Sequence, residues 1–148
     1  NGYAISVPLS KQMAVDNVAA RAEGYGMPGI EIDGCDIVAV YETTVEAVAR
    51  ARAGLGPTLI EANVERHLPH TSDDDDSIYR SPQEIEEAKK RDPLRILREQ
   101  LMELKILDLK EDKYIHESAK ELVNKATEEA ENAPYPETTD FFKHVYAE

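Results

Sequence analysis

Up to about residue 66 the apolar positions switch between strand-like and helix-like spacing; beyond residue 80 they follow helical spacing alone. Tyr3-Ala4-Ile5-Ser6-Val7-Pro8 reads as the end of a strand running into a loop, with Pro8 stopping any ladder. Met13 to Glu23 predicts a helix ended by Gly24 and Gly26. Gly29-Ile30-Glu31-Ile32 predicts a short strand closed by the turn Asp33-Gly34. Asp36 then suits the N-cap of a helix reaching Ala53. Its apolar stripe is Ile37, Tyr41, Val45, Val48, Ala49 and Ala53. Thr58 to Val64 predicts another strand. The order strand, helix, strand, helix, strand implies an α/β fold with a parallel sheet and crossover helices.

The right-hand part predicts only charged helices. Ser81-Pro82-Gln83-Glu84 has the form of a capping box with proline at the first helical position, opening a helix to about Arg91. Asp92-Pro93 repeats the device before a helix lined by Leu94, Leu97, Leu101 and Leu104. A third helix spans roughly Glu111 to Asn132 and stops at Pro134-Tyr135-Pro136, and Asp140 to Tyr146 forms a last turn. The expected organisation is an α/β part over residues 1–66, a loop over 67–80 and a helical region over 81–148.

Between the two parts, Arg66 to Arg80 has neither period. It packs two histidines, four consecutive aspartates and two arginines into fifteen residues. By its charge run alone it reads as a solvated acidic linker. It also starts directly after a predicted strand end, where parallel sheets bind ligands, and loops set on a rigid scaffold often carry chemistry. His67 and His70 with Asp73–Asp76 would make only a weak metal site, since the spacing lies in a loop and no third ligand has a clear position. A histidine acting as acid, base or phosphate donor is chemically simpler. Cys35 follows a glycine turn before a helix start but has no basic neighbour in sequence. His116 and His144 read as surface residues. The glycines from Gly24 to Gly29 run from helix into strand, the wrong direction for a phosphate cradle.

Composition narrows the classes. The 148 residues are 41% hydrophobic and 32% charged, which is globular rather than disordered. The formal net charge is −13, and both parts are acidic: 13 acids against 6 bases in residues 1–80, and 17 against 11 in 81–148. No basic patch favours nucleic acid or an anionic membrane. No apolar run reaches the ~20 residues of a membrane span. One cysteine rules out an internal disulfide and suits a reducing compartment, the cytoplasm or, in a eukaryote, the mitochondrial matrix. The abrupt start at Asn1, without methionine, suggests a fragment or a processed chain.

Several motifs in one order carry a resemblance. These are Asn1-Gly2-Tyr3-Ala4-Ile5-Ser6-x-Pro8, Ala20-Arg21-Ala22-x-Gly24-Tyr25-Gly26, Asp33-Gly34-x-Asp36-x-x-Ala39-Val40-Tyr41 and Gly56-Pro57-Thr58-Leu59-Ile60-Glu61. His70-Thr71-Ser72-Asp73-Asp74, Tyr79-Arg80, Asp92-Pro93 and Val145-Tyr146-Ala147 follow. Together they resemble the C-terminal part of the alpha subunit of thiamine-diphosphate-dependent 2-oxo acid dehydrogenases of the pyruvate and branched-chain type. The opening and the aspartate loop look closest to the branched-chain members.

The resemblance implies part of a thiamine-diphosphate-binding parallel sheet followed by a C-terminal group of helices. It implies an oxidoreductase that decarboxylates a 2-oxo acid and acylates a lipoyl group. The assembly would hold two alpha and two beta chains. Partners would be the N-terminal half of the alpha chain, the beta subunit and the lipoyl domain of the acyltransferase component. Asn1 matches a side-chain magnesium ligand and Tyr3 a main-chain carbonyl ligand, both hard donors. Ile5 matches the apolar support of the bent cofactor. His70 matches the histidine beside the diphosphate that is implicated in acyl transfer. Thr71 and Ser81 match two regulatory phosphorylation positions. Two other readings stay open: an acetoin dehydrogenase or other thiamine-enzyme alpha chain, and a non-catalytic binding or assembly fragment. The departures are Cys35 in place of a common asparagine, Asp75 and Asp76 in place of small hydroxyl residues, and no Gly-Asp-Gly segment carrying the remaining magnesium ligand. About half a diphosphate site is therefore expected. Titration calorimetry of these 148 residues with magnesium thiamine diphosphate should show weak or no binding; tight stoichiometric binding would refute the half-site.

Overall fold

The computed structural model describes residues 1–143. Four short strands and four α-helices form along them, and three of the helices follow the last strand. The strands are β1 (Tyr3–Ala4), β2 (Val7–Pro8), β3 (Gly29–Asp33) and β4 (Leu59–Asn63). The helices are α1 (Ile37–Arg52), α2 (Pro82–Lys90), α3 (Pro93–Glu103) and α4 (Leu109–Asn132). The chain divides into two compact units, Asn1–Leu104 and a second that begins at Lys105.

In the first unit β3 and β4 pair in parallel, with Ile30 opposite Ile60 and Glu31 opposite Glu61. The crossover helix between them is α1. Asp36 caps it as its sequence requires: one carboxylate oxygen accepts the amides of Val38 and Ala39 at 3.0 and 3.1 Å. The parallel α/β unit expected from the alternation is present, and among the described residues the sheet has two strands.

The N-terminal strand takes a different form. Instead of entering the sheet, Tyr3–Pro8 folds back on itself, with Tyr3 opposite Pro8 and Ala4 opposite Val7. Ile5 turns the chain at φ 55°, a left-handed conformation unusual for a β-branched residue. Pro8 lies at the end of a two-residue arm, where its missing amide interrupts nothing.

The helix expected from Met13 to Glu23 is also revised. Only Ala19–Tyr25 winds, as a 3-10 helix. The reason is tertiary. The side-chain oxygen of Asn17 accepts the Ala20 amide at 2.8 Å, and Glu61 accepts the Ala19 amide at 2.7 Å. These bonds start the turn at residue 19 and leave nothing for an earlier helical turn to add. The paired Glu31 would repel Glu61 across the ladder, but its two oxygens are held by Asn17 and Asn63 at 2.8 and 2.7 Å.

Ala19 and Ala22 are buried because this turn lies directly on β3. A Cβ on Gly29 would stand 2.1 Å from the Ala19 carbonyl oxygen. Helix α1 rests on β3 with a face of small and aliphatic residues, Ala39, Val40, Thr43 and Ala47, all half-buried. The expected apolar stripe lies elsewhere: Tyr41, Val45 and Val48 are exposed.

The second half of the Ser81 capping box is absent. Ser81 accepts the Glu84 amide at 3.2 Å, but Glu84 turns its carboxylate away from the N-cap. Asp92 caps α3 through the Leu94 amide at 2.9 Å. In the second unit α4 starts at a full capping box, with Asp108 accepting the Lys110 and Glu111 amides and Glu111 returning to the Asp108 amide. His144 and Val145-Tyr146-Ala147 lie outside the described residues.

The close approach at Gly29 yields a test. Gly29→Ala should destabilise the fold by about 1–3 kcal/mol, because the Ala19 carbonyl that the added carbon meets is backbone and cannot turn aside. Gly24→Ala, with nothing within 4 Å of the added carbon, should be near neutral in the same urea titration.

Candidate functional site

The hairpin β1–β2 and the loop after β4 meet around one buried cation. Arg80 is 4% exposed, and a buried guanidinium must find acceptors. Its NH1 donates to the Arg66 carbonyl at 2.9 Å and to Asp76 at 3.1 Å. Its Nε donates to Glu84 at 3.2 Å. Glu84 also accepts the Tyr3 hydroxyl at 2.9 Å.

A second arginine works beside it. Arg66 donates to the Ile5 carbonyl and to the Tyr79 hydroxyl, both at 2.9 Å. Its guanidinium lies 5.6 Å from the centre of the Tyr3 ring and 5.8 Å from that of Tyr79, within cation–π range. The two rings stand 5.8 Å apart and tilted by 51°, as aromatic pairs favour.

The Tyr79 hydroxyl donates in turn to Asp74 at 2.5 Å, and the same carboxylate oxygen accepts the His70 amide at 2.8 Å. The Tyr79 hydrogen bond, then the His70 amide, hold the Asp74 carboxyl below its usual range. Burial first, then the Asp74 bond, push Tyr79 up. Burial and the Glu84 bond do the same for Tyr3. Each shift favours a carboxylate beside a neutral phenol, the state in which these bonds form.

The four aspartates thus divide by role. Asp74 and Asp76 turn inward to Tyr79 and Arg80, whereas Asp73 and Asp75 are exposed. Asp75 caps the short 3-10 turn Asp76–Ile78 through the Ser77 amide.

The residues singled out in the sequence fall as follows. Asn1 is exposed, and its side-chain oxygen accepts the Tyr3 amide at 3.1 Å. Asn1 and Tyr3 border a shallow cleft with Glu61, Ala62 and Asn63, at the carboxyl end of β4. Ile5 is 56% exposed at the hairpin tip. Tyr3 and Ile5 are joined to the loop through Arg66 and Glu84. His70 is tied by its backbone, and its exposed imidazole has no hydrogen-bond partner among the described residues. Thr71 is exposed; Ser81 uses its hydroxyl oxygen as the α2 cap. His67 is exposed and His116 bonds to the Asp112 carbonyl within α4. Among the described residues no group of three or more His, Cys, Asp or Glu side chains gathers as metal ligands.

Cys35 needs a correction. Folding supplies the basic neighbour that sequence lacked: Arg91 borders the same cleft as Cys35 and bridges Asp33 at 2.8 Å and Glu65 at 3.1 Å. The thiol is 3% exposed, which suits a packing role. Sequence reading overlooked Glu84 as a link to Tyr3. Its helix-start pattern pointed to capping alone, and the two residues are 81 apart in the chain.

The dehydrogenase E1 component family model matches residues 1–139. The chain belongs to that family. Curated relatives agree. The 2-oxoisovalerate dehydrogenase subunit alpha of Bacillus subtilis is 49% identical over 147 residues, covering 99% of this chain and 44% of that protein. The 3-methyl-2-oxobutanoate dehydrogenase subunit alpha of Mycobacterium tuberculosis is 40% identical over 148 residues, covering 100% and 40%. The pyruvate dehydrogenase E1 component subunit alpha of Staphylococcus epidermidis is 40% identical over 149 residues, with the same coverage. The chain therefore spans about two-fifths of the length of these relatives. None of the helices among the described residues is long and apolar enough to cross a membrane.

Asp74 gives a pH test with a definite sign. Its folded value is depressed, so its contribution is present above the ordinary aspartate value of about 4 and is lost as pH falls toward the lower folded value. Asp74→Asn should therefore be less stable than the parent at pH 7, and the gap in urea midpoint should close below about pH 4. A gap independent of pH would mean that the carboxylate charge is not what holds the loop.

Proposed function

We propose that this chain is the C-terminal part of the alpha subunit of a 2-oxo acid dehydrogenase, an oxidoreductase that decarboxylates a 2-oxo acid and acylates a lipoyl group. Thiamine diphosphate is the cofactor of the family in general, and magnesium is the proposed ion on its diphosphate. One observation carries the reading. The hairpin bearing Asn1 and Tyr3 is bonded to the His70 loop at the carboxyl end of a parallel strand, the end where such sheets hold ligands.

The donors fit a hard cation. Asn1 offers an amide oxygen and Tyr3 a carbonyl, two of the about six oxygens magnesium takes. The Asn1–Tyr3 hydrogen bond leaves one lone pair of the Asn1 oxygen for the ion. The other ligands would come from the diphosphate, water and the rest of the alpha chain. When bound, thiamine diphosphate supplies the carbanion chemistry of decarboxylation. This chain contributes binding and placement. Ile5, at the hairpin tip, supports the cofactor. His70 keeps its imidazole free to donate to phosphate and to hand on a proton at a ring nitrogen during transfer to lipoyl.

In function the chain divides into residues 1–66, the diphosphate-binding part; 67–80, the active-site loop; and 81–148, the helical region. The N-terminal half of the alpha chain and the beta subunit complete the site and the sheet, in an assembly of two alpha and two beta chains. The lipoyl domain of the acyltransferase is the transient partner. The compartment is the cytoplasm, or the mitochondrial matrix in a eukaryote.

Thr71 and Ser81 are the proposed phosphorylation positions, with opposite local effects. A phosphate on Thr71 would add roughly two negative charges beside Asp74 and the diphosphate, which disorders the loop. On Ser81 it would sit at the start of α2, where an anion is tolerated.

The test is His70→Ala in the assembled complex, assayed separately for decarboxylation and for acyl transfer. Folding should be spared, because the anchor at residue 70 is backbone. Transfer to lipoyl should fall on the order of 100-fold. Parental rates in both assays would reduce His70 to a bystander.

A further inference from the structure

Glu84 occupies the third helical position of α2. A glutamate there ordinarily reaches back to the N-cap amide and completes a capping box. Here its carboxylate accepts the Tyr3 hydroxyl at 2.9 Å and Arg80 Nε at 3.2 Å. Two strong acceptor positions are thus spent on a residue 81 places away and on a cation whose side chain is 3% exposed.

What the carboxylate holds is otherwise weakly fixed. Each arm of the hairpin is two residues long, and among the described residues it pairs with no other strand. A two-stranded hairpin alone is marginal in water. The main-chain geometry around Tyr3, including the carbonyl, therefore depends on side-chain tethers. Besides the local bonds of Asn1 to the Tyr3 amide and of Gln12 to the Val7 carbonyl, two tethers reach it from far along the chain: Arg66 on the Ile5 carbonyl and Glu84 on the Tyr3 hydroxyl. Both lead into the loop, because Arg66 also bonds Tyr79 and Glu84 also bonds Arg80.

Resting on the function proposed above, we infer that Glu84 is a positioning residue that couples magnesium binding at Asn1 and Tyr3 to closure of the His70 loop. The Tyr3 hydroxyl is the near end of the coupling and Arg80 the far end. Coupling of this kind is reciprocal: whatever fixes the hairpin favours the closed loop, and the closed loop tightens the ion site to the same degree. A glutamate serving only to start α2 would leave magnesium affinity unchanged.

The experiment uses the full-length alpha chain assembled with its beta subunit. Magnesium is titrated at fixed thiamine diphosphate, binding is followed by calorimetry, and protease cleavage within residues 66–80 is followed in parallel. In the unaltered protein, magnesium with thiamine diphosphate should protect the loop. Tyr3→Phe keeps the ring and the carbonyl and removes only the hydroxyl. It should raise the magnesium concentration at half-saturation about tenfold and leave the loop cleavable. Glu84→Ala should do the same, and the double variant should be no worse than Glu84→Ala alone. Glu84→Gln keeps an acceptor for Tyr3 and should recover most of the affinity, which also covers the case that Glu84→Ala fails to fold.

Parental magnesium dependence in Tyr3→Phe overturns the coupling, as do additive losses in the double variant. Absence of any magnesium-dependent protection in the unaltered protein overturns the functional reading itself, and the coupling with it.

Discussion

A guanidinium removed from water decides the arrangement of the candidate site. Arg80 can be buried only because three oxygens converge on it, from Asp76, Glu84 and the Arg66 main chain. The Arg66 carbonyl and Asp76 belong to the connection between β4 and α2, and Glu84 to the first turn of α2. Without the cation, a carboxylate that is 14% exposed on Asp76 and the Arg66 carbonyl would lose a partner together, which is costly in a part-buried setting. The hairpin is recruited into the same network through Tyr3, whose ring lies 5.6 Å from the Arg66 guanidinium and 5.9 Å from that of Arg80.

The neighbouring region follows the same economy. Buried hydrophobic residues in the first unit are small: Ala19, Ala22, Cys35 and Ala88. Directional polar bonds take over where bulk is missing. Glu61 starts the 3-10 turn, Glu31 clasps Asn17 and Asn63, and Arg91 ties the end of α2 to Asp33 and Glu65. Of the two strand ends that these bonds pin, that of β4 borders the cleft beside Asn1.

Many of the large apolar residues lie on the outside instead. Tyr41, Val45 and Val48 along α1 are exposed, and so are Leu122 and Val123 in α4 of the second unit. Single exposed apolar residues need no explanation, but a stripe along one helix marks a contact surface. That surface suits the proposed role of the chain as one part of a larger assembly.

Much of this was readable in the residues alone, for local reasons. Asp36, Ser81 and Asp92 act as caps through bonds that span two or three residues, and the parallel pairing follows from the strand–helix–strand order. Family membership was legible because the motifs from Asn1 to Arg80 keep their types and order. The failures were equally physical. The period from Met13 to Glu23 is helical, but bonds to Asn17 and Glu61 shorten the helix to a 3-10 turn. Pattern alone could not separate the stripe of α1 that meets the sheet from the one that does not, because both are apolar. Glu84 reads locally as half of a capping box, yet its carboxylate serves Tyr3 and Arg80. Local bonding and periodicity are properties of neighbouring residues, so the sequence by itself determined them; which distant oxygen each buried cation and phenol would find was decided only when the chain closed on itself.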